Sequence, residues 1–168
     1  PAERPNVLFI AVDDLNDWIG ALGGHPQAKT PNMDRLAARS VAFTNAHCQA
    51  PICNPSRVSL LSGMLPSTTG TYYLAPTIRD WEATKGVVTI PQQFDRSGYF
   101  SWGVGKIFHG AGNKDEFGEY GGSFGSFGPR PEKPLTAGHT HPLWDWGAFP
   151  ERDDQMPDVS IAAWAVEK

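Results

Sequence analysis

The stretch Pro51–Gly63 reads Pro-Ile-Cys-Asn-Pro-Ser-Arg-Val-Ser-Leu-Leu-Ser-Gly and predicts a short helix. Asn54 is a favoured N-cap residue, and Pro55 suits the first helical position because its missing N–H would have no partner there. Gly63 is typical of the residue that follows the last helical turn. We therefore predict a helix that begins at Pro55 and ends at about Ser62.

Cys53 lies immediately before this predicted helix. Unpaired backbone N–H groups and the positive end of the helix dipole favour an anion or a thiolate at such a place. Arg57 follows four residues later, a spacing that brings its guanidinium towards Cys53 if helical geometry begins early. Val58, Leu60 and Leu61 are expected to anchor the helix in a core. Taken alone, Cys53 could equally be a small buried cysteine beside a helix.

A second segment joins a predicted strand to two carboxylates. Asn6–Val12 is an almost continuous apolar run rich in β-branched residues, which predicts a strand covered on both faces. Asp13 and Asp14 follow at its carboxyl end, where α/β folds place their sites. Both carboxylates can reach one cation only if the chain leaves strand geometry there, and oxygen ligands suit calcium or magnesium. The alternative is that both residues open a solvated turn.

A third segment, Gly103–His109, follows a predicted strand over Tyr99–Trp102. Lys106 offers a compact positive charge to a tetrahedral anion, and His109 can supply a hydrogen bond or a proton near neutral pH. Each residue alone is explained as well by a solvated lysine or a structural histidine. Only their geometry relative to Cys53 can assign the roles.

Together these segments resemble the formylglycine-dependent (type I) sulfatases, in particular the iduronate-2-sulfatase branch. The resemblance rests on Cys-x-Pro-Ser-Arg with the following Leu-x-Ser-Gly, on the Val-Asp-Asp end of the first strand and on Gly-Lys-Ile-Phe-His. Thr30–Ala37 also looks like a sulfatase element, and we expect a structural role for it. The similarity is strong from Asn6 to His109, is weak after it, and covers only the N-terminal part of a sulfatase.

The resemblance implies a nucleophile made from Cys53. In this family a formylglycine-generating maturase oxidises the cysteine to an aldehyde, whose hydrate carries two hydroxyls. One hydroxyl attacks sulfur and expels the alcohol, and the other helps to eliminate sulfate and restore the aldehyde. Arg57, Lys106 and His109 are the other predicted catalytic residues, and the last two are expected to contact the sulfate.

The resemblance also implies a divalent cation, calcium rather than magnesium. Its predicted ligands in this chain are Asp13, Asp14 and the modified Cys53. The family's later metal ligands, and a second sulfate-binding lysine and histidine, are not identifiable in the sequence. We therefore expect an incomplete site in a fragment or processed chain, whose partner is the remainder of the sulfatase.

The implied fold is the alkaline-phosphatase-like α/β sandwich, with a central, largely parallel mixed sheet and helices on both faces. Residues 1–168 are interpreted as the N-terminal part of that catalytic domain. Helices are predicted after Thr30, near Thr89 and after Asp158, and a further strand is predicted over Val41–Ala46.

Residues 110–134 are rich in Gly, Pro and aromatic side chains and are predicted to form a long loop or an insertion. Its aromatic residues could stack on a sugar or pack the loop onto the protein, and the sequence favours neither for Tyr120, Phe124 and Phe127. Ser67–Tyr73 is expected to be a pocket wall. Four further residues match no motif of the family and are expected to be structural: His139, His141, Trp144 and Trp146.

The composition is that of an ordinary globular chain, with a net charge of −4 and 40% hydrophobic residues. Scattered basic residues give no support to nucleic-acid binding, and no apolar stretch is long enough to span a bilayer. A disulfide with Cys48 would consume the proposed nucleophile, and the two cysteines with His47 do not complete a zinc site. Cys48 is therefore predicted to be a packing residue. A periplasmic, secreted or lysosome-like location follows from the resemblance alone.

These predictions converge on a sulfuric ester hydrolase that acts on a sulfated carbohydrate, for which a 2-O-sulfated uronate-type sugar is a candidate. Two alternatives stay open. One is a phosphonate or phosphate ester hydrolase of the same superfamily. The other is a non-catalytic carbohydrate-binding or assembly protein in which Cys53 remains unmodified.

Overall fold

The computed structural model describes residues 4–110, 114–125, 128–136 and 145–168. Contacts divide the chain into two units, Pro1–His47 and Cys48–Lys168. The first contains a 3-10 helix, Gly20–Leu22, and helix α1, Pro31–Ala37. The second contains α2 (Cys53–Ser62), α3 (Pro66–Thr69), α4 (Ile90–Arg96), β1 (Trp102–Gly103), β2 (Glu119–Tyr120) and α5 (Pro157–Val166), with 3-10 helices at Lys114–Glu116 and Asp153–Gln155. No helix among these is long and apolar enough to cross a membrane.

In the first unit, Asp34 links the 3-10 helix to α1. Its carboxylate accepts hydrogen bonds from the Ala21 amide at 2.9 Å and from the Thr30 hydroxyl at 3.0 Å. Thr30 lies at the N-cap position of α1, as predicted, but its hydroxyl accepts the Gly20 N–H at 2.8 Å and does not cap α1. The N-cap residue therefore joins two elements.

The two strands predicted in this unit are wrong for the structure described. Asn6–Val12 and Val41–Ala46 are irregular, and their large apolar side chains are exposed, from 49% at Val12 to 80% at Val41. A strand requires a neighbour that completes its hydrogen bonds, and the described residues place none beside either segment. The apolar pattern predicted burial on both faces, which this part of the chain does not supply.

The core of the second unit lies between α2 and the segment that follows β1. Its four side chains are at most 6% exposed: Val58, Leu61, Ile78 and Phe108. Two of the three predicted anchors of α2 are confirmed, whereas Leu60 is 40% exposed. Because Phe108 lies between Lys106 and His109 in sequence, this core fixes the Gly103–His109 segment against α2.

β1 and β2 form a two-stranded parallel sheet, with Trp102 opposite Glu119 and Gly103 opposite Tyr120. The strand predicted over Tyr99–Trp102 is therefore confirmed only at its last residue. β2 lies inside residues 110–134, so part of this Gly-rich stretch is ordered against β1. Such a small sheet is consistent with an α/β fold and does not display the expected sandwich.

The predicted helices α4 and α5 are confirmed. α4 begins after Thr89, whose side chain forms a capping box with Gln92. Thr89 also donates to Glu116, a 4% exposed carboxylate that binds the Arg79 guanidinium at 2.5 and 2.6 Å. This buried ion pair connects the start of α4 to the 3-10 helix before β2.

Candidate active site

Cys53 is the first residue of α2, so the helix begins two residues before the predicted start. Ile52 holds the N-cap position and makes no side-chain cap. The first amides of a helix have no intrahelical acceptor, and Pro55 has no N–H at all. The half-buried Cys53 therefore lies at the positive end of a ten-residue helix, where an anion is favoured.

Asn54 does not cap this helix, contrary to the prediction. It is 2% exposed, and its side-chain amide donates to the Tyr73 carbonyl at 2.9 Å and to the Pro76 carbonyl at 2.8 Å. Because α2 begins at Cys53, Asn54 lies within the first turn, and its side chain binds this neighbouring loop. Asn54 thus fastens the end of the predicted Ser67–Tyr73 wall beside Cys53.

Lys106 and Cys53 both belong to the second unit, and their side chains lie close together there. Its ammonium nitrogen lies 3.9 Å from the Cys53 sulfur, and the side chain is exposed. Arg57 donates to the carbonyl oxygens of Lys106 and of Ile107, the latter at 3.3 Å. The guanidinium predicted to approach Cys53 therefore also ties the Lys106 backbone to α2.

Gly105 shapes the backbone just before Lys106. Its φ of 86° is a conformation that glycine adopts without the strain of a side chain. Its N–H donates to the Gly122 carbonyl at 2.8 Å, and its carbonyl accepts the Tyr120 hydroxyl at 2.6 Å. Burial raises the pKa of the Tyr120 hydroxyl, so this group is a hydrogen-bond donor at neutral pH. The loop around β2 thus supports the Lys106 segment.

His109 is half-buried and borders the same region. Its side chain lines a small cavity with Asn54, Arg57 and Thr77. The Nδ1 atom is buried and has no hydrogen-bond partner among the described residues. An unsatisfied buried nitrogen is costly, which favours a ligand or water at this atom.

Asp13 and Asp14 lie in the first unit, at the turn after the apolar run. Asp14 has a φ of 54° and Asn16 a φ of 55°, so the backbone leaves extended geometry there, which is the condition for both carboxylates to reach one cation. Two oxygen donors fit part of a calcium or magnesium site. Within the described residues no three His, Cys, Asp or Glu side chains form a metal-binding group. The ligand roles of Asp13, Asp14 and Cys53 stay predictions.

Both cysteines are free thiols. Cys48 is exposed and its thiol donates to the Ala50 carbonyl at 3.5 Å, so its predicted packing role is wrong. Trp146 is 66% exposed. Four of the residues considered above lie outside the described structure: Phe127, His139, His141 and Trp144.

The role of Asn54 as a loop anchor was not predicted from the sequence. One signal was available, since an amide inside the Cys-x-Pro-Ser-Arg motif has both donors and an acceptor. Packing was one of the two roles considered for Tyr120, but its contact with Gly105 was not predicted, because Gly105 belongs to another segment of the chain.

The amino-acid sequence is similar to those of known sulfatases. The sequence model of the sulfatase family matches residues 5–143. A sulfatase of Formosa agariphila is 44% identical over 183 residues, which cover 99% of this chain and 36% of that protein. Human iduronate 2-sulfatase is 40% identical over 131 residues, with 76% of this chain and 23% of that protein covered. Bovine arylsulfatase A is 37% identical over 122 residues, with coverages of 69% and 23%. The chain spans about a third or less of the length of these relatives, and it belongs to the sulfatase family.

Proposed function

We propose that the full-length protein hydrolyses sulfate monoesters with a nucleophile made from Cys53. The observation that carries this proposal is the 3.9 Å distance between the Lys106 ammonium and the Cys53 sulfur at the N-terminus of α2. Membership of the sulfatase family supports the reaction class. A sulfate group beside Cys53 would meet the positive end of the helix and a lysine.

The proposed reaction gives separate roles to the site residues of this chain: anion binding, positioning and proton donation. The first amides of α2 and Lys106 bind the tetrahedral anion and stabilise the charge that develops on it. Arg57 holds the Lys106 backbone, and Asn54 holds the facing loop. His109, whose Nδ1 has no described partner, donates a hydrogen bond or a proton to the leaving oxygen. Oxidation of Cys53 to formylglycine by a maturase would supply the attacking oxygen.

We also infer that Asp13 and Asp14 provide two ligands of a divalent cation, calcium in preference to magnesium. Two adjacent carboxylates support this role, because they offer hard oxygen donors at a point where the backbone leaves extended geometry, with a φ of 54° at Asp14. The predicted contribution of modified Cys53 belongs to the same proposal. Membership of the sulfatase family supports the alkaline-phosphatase-like sandwich as the fold of the full-length protein.

The proposed substrate is a sulfated carbohydrate. Support comes from the similarity to iduronate 2-sulfatase, which is named for a sulfated uronate sugar. A periplasmic, secreted or lysosome-like location is part of the same proposal and rests on the family.

The proposal is tested by making the full-length protein with a formylglycine-generating maturase. Intact-mass analysis is expected to show the loss that accompanies conversion of the Cys53 thiol to an aldehyde, together with turnover of p-nitrophenyl sulfate. Cys53→Ala should abolish both. Cys48→Ala is the matched control, because it removes the other free thiol and should leave both intact. A persistent thiol at Cys53, or equal or faster turnover of an aryl phosphonate ester, would contradict the proposal.

A further inference from the structure

A cavity of about 380 Å³ lies in the second unit between the Gly-rich loop and the start of α5. Phe124, Pro129 and Pro157 form its apolar walls, and Arg130 and Gln155 add polar groups. We propose that this cavity binds a second sugar residue of the sulfated glycan, with its ring against Phe124 and its sulfate or carboxylate on Arg130. The inference rests on the proposed function, because it assumes that the substrate is a glycan.

Phe124 has an unusual backbone for an aromatic residue. Its φ of 53° lies in the left-handed region, which is strained for a residue that carries a side chain. The residue is 45% exposed, so part of its ring remains open to a ligand. A ligand that covers the ring gives this conformation a function.

Tyr120, four residues before Phe124, has a structural role in the same loop. Tyr120 is half-buried, stacks on Phe117 with ring centroids 6.0 Å apart and binds Gly105 through its hydroxyl. Tyr120 therefore packs the loop onto the protein, which was one of the two roles left open by the sequence. Phe124, in contrast, is 45% exposed and lines the cavity, and it is the residue to which the proposal assigns the other role.

Beside the cavity, the described part of the loop packs closely on the start of α5. A side chain at Gly128 would place its Cβ 3.1 Å from the Met156 sulfur, so only glycine fits there without displacement. Pro157 adds a rigid ring at the first helical position. Apolar walls with a few polar groups suit a sugar, which has an apolar C–H face and a rim of hydroxyls.

The polar groups match an anionic sugar. Arg130 is exposed, and the planar fork of a guanidinium binds carboxylate or sulfate through paired hydrogen bonds. Gln155 can donate to and accept from hydroxyls. Arg152, three residues before Gln155, donates two hydrogen bonds to the Asp154 carboxylate at 2.6 and 2.9 Å. This pairing offsets the negative charge of Asp154 near the polar groups of the cavity.

The loop that lines the cavity is hydrogen-bonded to the segment that carries Lys106. The Gly105 N–H binds the Gly122 carbonyl, and Phe124 is two residues beyond Gly122. Two residues span at most about 7 Å between Cα atoms, so Phe124 lies close to the loop point that contacts Gly105. Lys106 and the cavity thus belong to segments that the Gly105–Gly122 hydrogen bond joins, and the proposal places the next sugar of the glycan on the loop side of this contact.

Binding is tested in the full-length protein in a Cys53→Ala background, which prevents turnover. Calorimetry with a heparin-derived tetrasaccharide is expected to give about tenfold weaker affinity for Phe124→Ala and for Arg130→Gln, since each loses roughly 1.4 kcal/mol of contact. Phe124→Tyr keeps a ring and should bind normally. Arg96→Gln, an exposed arginine of α4, is the charge control. Parental affinity in the first two variants, or no binding by the parent, would overturn the subsite.

Turnover measurements with Cys53 intact distinguish a role in binding the second sugar from a role in the reaction itself. Phe124→Ala and Arg130→Gln should lower kcat/KM about tenfold for a sulfated oligosaccharide and leave that for p-nitrophenyl sulfate unchanged, because the aryl ester has no second sugar. Equal losses on both substrates would mean that the loop supports the reaction centre, and would overturn the subsite. Loss of binding in a protein that turns over neither ester would overturn the proposed function and retain the subsite.

Discussion

The Lys106 ammonium lies 3.9 Å from the Cys53 sulfur, although the two residues are 53 positions apart in sequence. Two interactions produce this proximity. Phe108 is buried in the same core as Val58 of α2, and Arg57 of α2 binds the carbonyls of the Lys106 segment. A positive charge is thus held at Cys53, the residue that we propose as the precursor of the nucleophile.

Removal of the Lys106 charge should reduce catalysis far more than stability. We expect Lys106→Met to lower kcat for p-nitrophenyl sulfate by about 100-fold or more, as for loss of a preorganised electrostatic group. Lys85→Met is the matched control, since Lys85 is exposed and pairs only with Glu82 on the surface among the described contacts. Thermal unfolding should be unchanged in both variants. Comparable activity of Lys106→Met and the control would remove Lys106 from the reaction.

Loss of the Asn54 side chain should destabilise the loop that faces Cys53. Asn54→Ala removes the donor of two hydrogen bonds, to the Tyr73 and Pro76 carbonyls, and we expect the free energy of unfolding to fall by about 2 kcal/mol. Asn54→Asp should be at least as harmful, because a carboxylate only accepts hydrogen bonds. Urea unfolding of the full-length protein measures both. Asn32→Ala, at an exposed asparagine of α1, is the control, and an equally small effect at the two positions would contradict the anchoring role.

Loss of the buried Glu116 carboxylate should lower the free energy of unfolding more than loss of a surface carboxylate. Glu116→Gln leaves the Arg79 charge without its partner, and about 3 kcal/mol of unfolding free energy should be lost. Glu82→Gln breaks an exposed pair with Lys85 and should cost less than about 1 kcal/mol. Denaturant unfolding compares the two variants directly. Similar values would show that the Arg79 pair is as weak as a surface pair.

The Tyr120 hydroxyl should titrate at higher pH than an ordinary tyrosine. Burial raises its pKa above the usual value of 10.0, so the protonated donor to Gly105 persists through neutral and mildly alkaline pH. Its contribution to stability is complete below the unfolded pKa and is lost as pH rises through the folded pKa. The ultraviolet tyrosinate difference between the parent and Tyr120→Phe isolates this titration. A midpoint at or below the ordinary value would refute the predicted direction.

Local patterns predicted the helices well. The start of α4 was signalled by Thr89 and Pro91, and that of α2 by the Asn-Pro pair to within two residues. Capping and proline effects act within one turn, so they are encoded in adjacent residues. The strands were predicted poorly, because Asn6–Val12 and Val41–Ala46 need partners that the described residues do not provide.

The sequence by itself determined the family and supplied the proposed site residues: Cys53 within its sulfatase-like motif, the paired Asp13 and Asp14, and Lys106 with His109. Tertiary structure alone decided that Lys106 meets Cys53 and that Asn54 anchors a loop instead of capping a helix. It also separated a packing Tyr120 from an exposed Phe124. The physical reason is the sequence distance over which each kind of interaction acts. Motifs and caps depend on residues within a few positions, whereas burial and hydrogen bonds between distant segments exist only after the core has formed.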